Sequence, residues 1–167
     1  QVDFQTYQAV AVGPGIGQHE ETAVLLQQLF VASENRRLVL DADALNLTAT
    51  HPQLMDHLPK AAVLTPHPGE FQRLWQAEHP HDRTKTERQT QVERARIFAQ
   101  EHGVYLILKG SSTAIASPEG QICLNPTGNP GMATGGSGDV LTGILLSLLS
   151  QSYPVWDACR LGVWLHG

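Results

Sequence analysis

Charge is scarce in this chain of 167 residues: only 16% are charged, and the formal balance is −5. Without a basic excess, the general electrostatic footprint of a nucleic-acid binder is not expected. Small anions remain possible ligands, because converging backbone N–H groups can make a locally positive pocket. Cysteine is nearly absent. Cys123 and Cys159 lie in the apolar contexts Gln-Ile-Cys-Leu-Asn and Asp-Ala-Cys-Arg-Leu, with no zinc-type spacing. Their count permits a disulfide, while their contexts favour two buried free thiols in a reducing compartment. Long hydrophobic runs are also lacking. The longest, Val140 to Leu149, contains Gly143 and is too short to span a bilayer. No signal-peptide pattern opens the chain. The cytoplasm is therefore the default location, and no membrane partner is expected.

What is present is apolar material, 41% of residues, enough for a packed core and against disorder. The length fits one domain or part of a larger one. The chain starts shortly before a strand-like run and stops inside a helical pattern, Val155 to His166. Flanking sequence is expected at both ends, so residues 1–167 read as a partial domain.

Strand-like and helix-like segments alternate. Tyr7 to Val12 reads as a buried strand entering Gly13-Pro14-Gly15-Ile16-Gly17, and a helix is expected over His19 to Ala32. Arg37 to Leu40 and Ala61 to Leu64 are further strands, the latter followed by a short helix over Gly69 to Trp75. The polar stretch Gln76 to Lys85 reads as a surface loop. Thr86 with Gln89 resembles a capping box for the next helix, whose end is marked by Gly103. Val104 to Leu108 is a strand, and Thr113 to Ala116 with Gln121 to Leu124 form a hairpin around Ser117-Pro118-Glu119-Gly120. A glycine-rich loop, Thr127 to Gly138, then opens a helix from Asp139. This alternation predicts a three-layer α/β fold with a mostly parallel central sheet.

In such sheets ligands gather at the carboxyl ends of the strands. Five loops then share one rim: Gly13–Gly17, Asp41–Asn46, Thr65–Glu70, Lys109–Thr113 and Thr127–Asp139. In the last, Gly135, Gly136, Ser137 and Gly138 let backbone N–H groups converge at a helix N-terminus, a plausible hole for a transferring phosphoryl group. No Gly-Lys-Ser/Thr follows, so it is not a P-loop. Asp139, in the first turn of that helix, is placed to accept a hydroxyl proton as a general base. An isolated acid there would more simply complement the helix dipole, but the three glycines before it and Leu141, Ile144, Leu145 and Leu148 packing the helix behind it favour catalysis. Asp41, Asp43 and Asn46 form an oxygen-rich cluster in which the two carboxylates could orient Mg²⁺-bound water; capping and loop hydrogen bonds explain them as well. Glu70 could serve a metal indirectly or act as a first-turn helix charge. The histidines at 19, 51, 57, 79, 81, 102 and 166 read as surface or packing residues.

Gly-Gly-Ser-Gly-Asp-Val-Leu-Thr-Gly-Ile (135–144) resembles the anion-hole and catalytic-base motif of the ribokinase-like superfamily. The longer Asn-Pro-Gly-Met-Ala-Thr-Gly-Gly-Ser-Gly-Asp (129–139) resembles one branch, the ADP/ATP-dependent NAD(P)H-hydrate dehydratases. So do Val-Gly-Pro-Gly-Ile-Gly (12–17), Leu-Asp-Ala-Asp-Ala-Leu-Asn (40–46), Leu-Thr-Pro-His-Pro-Gly-Glu-Phe (64–71) and Leu-Lys-Gly (108–110), all in that family's order.

The resemblance implies a ribokinase-like fold and the ADP- or ATP-dependent dehydration of hydrated NADH and NADPH, with Mg²⁺ as cofactor. It implies substrate contacts at Gly17, Asn46, His67 and Asp139, with Asp139 catalytic. It implies adenine-nucleotide contacts at Lys109, Gly110, Ser111, Ser112, Thr113 and Gly138. Residue chemistry leaves open that Gly17 only makes a tight turn and that Lys109 is a solvated lysine at a strand end. The bacterial form of the motif suggests ADP over ATP. A homo-oligomer and a separate or fused epimerase are further implications. Two other readings share the same residues: a ribokinase-like kinase for a sugar or hydroxyethylthiazole, and a nucleotide-binding fragment without turnover.

Overall fold

The structure, a computed structural model, describes residues 6–33, 36–82, 84, 87–132 and 134–167. Six strands form one sheet in the order β1 to β6: Ala9–Val12, Arg37–Leu40, Val63–Leu64, Tyr105–Leu108, Thr113–Ala116 and Ile122–Asn125. Strands β1 to β4 are parallel, and β5 and β6 turn antiparallel. The expected hairpin is present, with Ala116 opposite Ile122 at its closed end.

Period-two alternation divides the core into two. Leu38, Leu40, Leu64, Leu106, Leu108, Ala114 and Ala116 face one helical layer, while Val39, Val63, Ile107 and Ile115 face the other. The first layer holds α1 (Glu20–Ala32), α2 (Ala42–Thr50), α3 (Pro52–Asp56), α4 (Pro68–Glu78) and α5 (Arg88–His102). The second holds α6 (Ser137–Ser150) and α7 (Val155–His166). Connections between β1 and β4 all cross the first face, as same-handed crossovers to successive neighbouring strands require. The result is the predicted three-layer α/β fold.

Several expectations change. Asp41–Asn46 is not a loop: Asp41 is the N-cap residue of α2, and Asp43 and Asn46 lie on the helix. The junction is compressed, with Ala42 at φ +47° immediately after Asp41. Residues 61 and 62 precede β3 rather than join it, because Ala61 has φ +60° and the Ala62 N–H bonds the Pro59 carbonyl at 3.1 Å. Helix α4 continues to Glu78, into the segment expected as loop. Thr86, half of the expected capping box, lies outside the described residues; Glu87 is the N-cap of α5 and makes no side-chain cap bond. Gly103 closes α5 in the left-handed conformation, φ +68°.

One glycine in the first rim loop is dictated by close approach. A Cβ at Gly13, φ +141°, would lie 1.7 Å from the Asp41 carbonyl oxygen. The Asp41 N–H also bonds the Val12 carbonyl at 3.1 Å, so the ends of β1 and β2 are pinned together under the rim.

Candidate active site

The site is built on a part-buried ion pair where three elements meet. Asp41 leaves β2 only 2% exposed, and its side chain makes no cap bond to α2. Its Oδ1 instead accepts from Lys109 Nζ at 3.0 Å, and Oδ2 accepts from Thr142 Oγ1 on α6 at 3.0 Å. Lys109 follows β4 and is held there by its own N–H, which donates to the Pro66 carbonyl at 2.9 Å. Gly138 closes the arrangement. A Cβ there would sit 3.3 Å from Lys109 Nζ and 3.5 Å from Asp41 Oδ2, so glycine lets the first turn of α6 descend onto the pair. Lys109 is therefore tethered rather than freely solvated, its side chain 23% exposed.

Beside this pair opens a cavity of about 560 Å³. Lys109, Gly110, Ser111 and Thr113 line one side, with His67 and Pro68 adjoining. Opposite stand Thr127 to Asn129, Met132, Thr134, Ser137 and Gly138, with Val163 and His166 of α7 behind them. Ser112 is not among the lining residues, although its carbonyl accepts from Arg88 Nη2. The volume lies in the range of small-molecule pockets.

Gly135 and Gly136 form the exposed tip before α6, and nothing lies within 4 Å of a Cβ built on either. Gly136, φ +88°, is the N-cap residue. The first amides of a helix have no intrahelical acceptor and sit at the positive end of its dipole. Ser137 is fixed from behind: His166 Nε2 donates to its carbonyl at 2.8 Å and lies 3.2 Å from its Oγ. Asp139 is exposed in the same turn and does not line the cavity.

His67 is the N-cap of α4. Its Nδ1 accepts from the N–H groups of Gly69 at 3.0 Å and Glu70 at 3.4 Å, and Glu70 Oε2 accepts from the His67 N–H at 2.8 Å. Since Nδ1 accepts, Nε2 carries the proton and faces Glu70 Oε1 at 3.3 Å. The flanking prolines and this reciprocal cap hold the ring at the cavity wall.

Gly17, Asp43 and Asn46 gather elsewhere on the rim. Asp43 accepts from the Gly17 N–H at 3.1 Å and from Gln18 Nε2 at 2.7 Å, and Asn46 Oδ1 accepts from Arg73 Nε at 2.9 Å. None of these three lines the cavity. Asp41, Asp43 and Glu70 thus each have protein partners, and no cluster of three potential metal-ligating acids, histidines or cysteines exists among the described residues. That donor set does not fit a protein cage for Mg²⁺.

The sequence left three contributors unmarked: Thr142, His166 and Arg88. Thr142 recurs on the Asp41-facing side of α6, one turn after Gly138, which is the signal that could have found it. The other two depend on contacts that no local pattern reveals.

The mixed sheet between two helical layers is the ribokinase-like fold: ribokinase of Thermotoga maritima superimposes with a TM-score of 0.64 at 19% identity, covering 96% of this chain and 50% of that structure. The family model described as NAD(P)H-hydrate dehydratase matches residues 2–167. The chain belongs to that family. It is 40% identical over 168 residues to the ADP-dependent (S)-NAD(P)H-hydrate dehydratase of Neisseria meningitidis, covering 98% of this chain and 54% of that protein. It is 45% identical over 163 residues to the bifunctional NAD(P)H-hydrate repair enzyme of Moorella thermoacetica, covering 95% of this chain and 29% of that one. The ADP/ATP-dependent NAD(P)H-hydrate dehydratase of Bacillus subtilis, co-crystallised with ATP and Mg²⁺ and soaked with CoA, superimposes with a TM-score of 0.77 at 35% identity. The match covers 96% of this chain and 55% of that structure. The chain therefore spans about half the length of its single-function relatives and under a third of the bifunctional one.

Proposed function

We propose that the protein containing this chain dehydrates the S-form of hydrated NADH and NADPH at the expense of ADP or ATP, returning NAD(P)H and phosphate. The observation that carries the reading is the cavity shared by Lys109, Gly110, Ser111 and Thr113 with Ser137 and Gly138 at the tip of α6. These groups suit a polyphosphate: backbone donors, hydroxyls and one ammonium at a helix N-terminus. Ser112 supports the same segment through its backbone.

Hydroxide is a poor leaving group, and phosphate is a much better one. Asp139 takes the proton of the hydroxyl on the hydrated ring, and the freed oxygen pair bonds to the terminal phosphorus of the nucleotide. The bond to the bridging oxygen breaks, so ADP leaves as AMP or ATP leaves as ADP. Loss of phosphate with a ring proton then restores the double bond. Charge on the moving phosphoryl group is met by the amides of Gly135 to Gly138 and by Lys109. The reading assigns substrate contacts to His67 at the cavity wall and to Gly17 and Asn46 farther along the rim. Mg²⁺ would neutralise phosphate charge when bound, carried by the nucleotide and water rather than by Asp41, Asp43 or Glu70. ADP is the preferred donor, as in the Neisseria meningitidis relative's name. An epimerase partner, fused or separate, a homo-oligomeric state and a cytoplasmic location complete the proposal. Among the described residues no helix is long and apolar enough to cross a membrane.

The test is to incubate the full-length protein with hydrated NADH and ADP. Recovery of NADH absorbance with stoichiometric phosphate release is expected. No recovery, alongside rapid phosphorylation of a sugar or hydroxyethylthiazole to a stable ester, would overturn the reading in favour of a kinase.

A further inference from the structure

The loop that lines the cavity from Lys109 to Thr113 is held by a residue that does not itself line the cavity. Arg88 opens α5, and its Nη2 donates to the Leu108 carbonyl at 3.2 Å and to the Ser112 carbonyl. These two acceptors flank the loop, one at the end of β4 and the other just before β5. A single guanidinium nitrogen carries two hydrogens, one for each carbonyl. The rest of the group lies against the middle of the loop. A Cβ built on Gly110 would be 3.2 Å from each of Cζ, Nη1 and Nη2, and equal distances to three atoms mean that the planar face is packed against this glycine. The side chain is half-buried, and burial lowers its pKa from the usual arginine value. A costly desolvated cation is thus spent on backbone carbonyls.

We infer that Arg88 is a positioning residue for nucleotide binding: its guanidinium bridges the Leu108 and Ser112 carbonyls and presents Gly110 and Ser111 to the nucleotide. The inference deepens the proposed reading of this cavity and rests on it. Lysine cannot reproduce the clasp, because an ammonium has neither the planar face nor the fork geometry. Lys109 keeps its own tethers to Asp41 and to the Pro66 carbonyl, so loss of Arg88 loosens Gly110 and Ser111 and weakens nucleotide binding while Lys109 stays in place.

The test uses Arg88→Lys and Arg88→Met in the full-length protein. Calorimetry with ADP alone gives Kd, and steady-state assays give KM and kcat. About tenfold weaker ADP binding is expected in both variants, the scale of losing one or two charge-assisted hydrogen bonds. At saturating ADP, kcat and the KM for hydrated NADH should stay within about twofold of wild type. In Arg88→Lys, which keeps the positive charge and removes no phosphate contact, the salt dependence of ADP affinity should be unchanged. Methylguanidine should restore part of the affinity of an Arg88→Ala variant.

An unaltered ADP Kd in Arg88→Lys overturns the inference while leaving the function intact. So does a uniform loss in kcat and both KM values that tracks a fall in Tm, which would mark a structural role alone. If Arg88→Met fails to fold, Arg88→Lys still separates these outcomes. Absence of ADP binding by the wild-type protein would sink the nucleotide reading itself, and this inference with it.

Discussion

Asp139 differs from every other acid at the rim in being exposed and in the first turn of the helix whose tip is all glycine and serine. Asp41, by contrast, is consumed by Lys109 and Thr142. The two carboxylates therefore differ in environment: one stands exposed on the first turn of α6, the other holds a cation in place, and only the first is free for the proposed role of base. Asp139→Asn should keep ADP binding within about twofold, measured by calorimetry, and lower the dehydration rate at least about 100-fold. Near-normal turnover would remove Asp139 from the mechanism. The Asp41–Lys109 pair makes an unequal prediction for stability. Lys109→Met strands a carboxylate that is 2% exposed, whereas Asp41→Asn leaves a partly hydrated ammonium and can still accept from Thr142. Urea denaturation at neutral pH should show a loss of about 3 kcal/mol for Lys109→Met and about 1–2 kcal/mol for Asp41→Asn. Equal losses would mean that the carboxylate's burial does not govern the pair.

Elements are legible where their ends carry strong punctuation. Pro154 before Val155 frames α7, and Ser117 to Gly120 fixes both sides of the hairpin. Helix α2 escapes a sequence reading for a physical reason. Ala42 takes a left-handed conformation, so the chain passes from β2 into a helix with no connecting loop to read. Its buried Ala44, Leu45, Leu47 and Thr48 do recur at helical spacing, but Asp41, Asp43 and Asn46 resemble loop oxygens when the period is overlooked. The site divides the same way. Lys109 and Gly138 sit in recognisable motifs, and Thr142 is marked only by its one-turn spacing from Gly138, while the bonds of Arg88 to the Leu108 and Ser112 carbonyls leave no local trace. One inter-helix contact carries a pH signature. His51, between α2 and α3, has Nε2 at 3.1 Å from Glu20 of α1 and Nδ1 at 3.0 Å from the Leu47 carbonyl. Two acceptors favour the doubly protonated ring. The hydrogen bond to Glu20, partly offset by desolvation, raises the His51 pKa above its ordinary 6.5. A raised folded-state value means that the stabilisation is fully present below about pH 6.5 and fades as pH climbs through the higher folded value. Glu20 is 79% exposed, so the effect should be under about 1 kcal/mol. Thermal melts from pH 5.5 to 8.5, roughly the imidazole titration range, should show Glu20→Gln removing that decline; an identical pH slope in the variant would refute the coupling.

At the scale of the whole molecule, the two cores divide the work. The first-layer helices fill the connections between parallel strands, while α6 and α7 pack across the opposite face and bring Ser137, Gly138 and His166 to the cavity. Ligand binding at that tip should therefore be felt throughout the second core. Cys159 provides the probe. It is a free thiol, fully buried on α7 among Leu145, Leu149 and Val163, and burial pushes its pKa well above the ordinary thiol range. A buried, protonated thiol is both inaccessible and weakly nucleophilic. Labelling at Cys159, located by mass spectrometry, should therefore follow opening of the fold rather than surface reaction. If ADP binds only the folded form, free ADP at 100 times its Kd adds about 2.7 kcal/mol of stability, and labelling limited by the open population should slow about 100-fold. Slowing of that size with no change in the spectrum of the folded protein would tie the cavity to α7 energetically. Fast labelling indifferent to ADP would instead mean that the α7 face opens independently of the ligand-bearing rim.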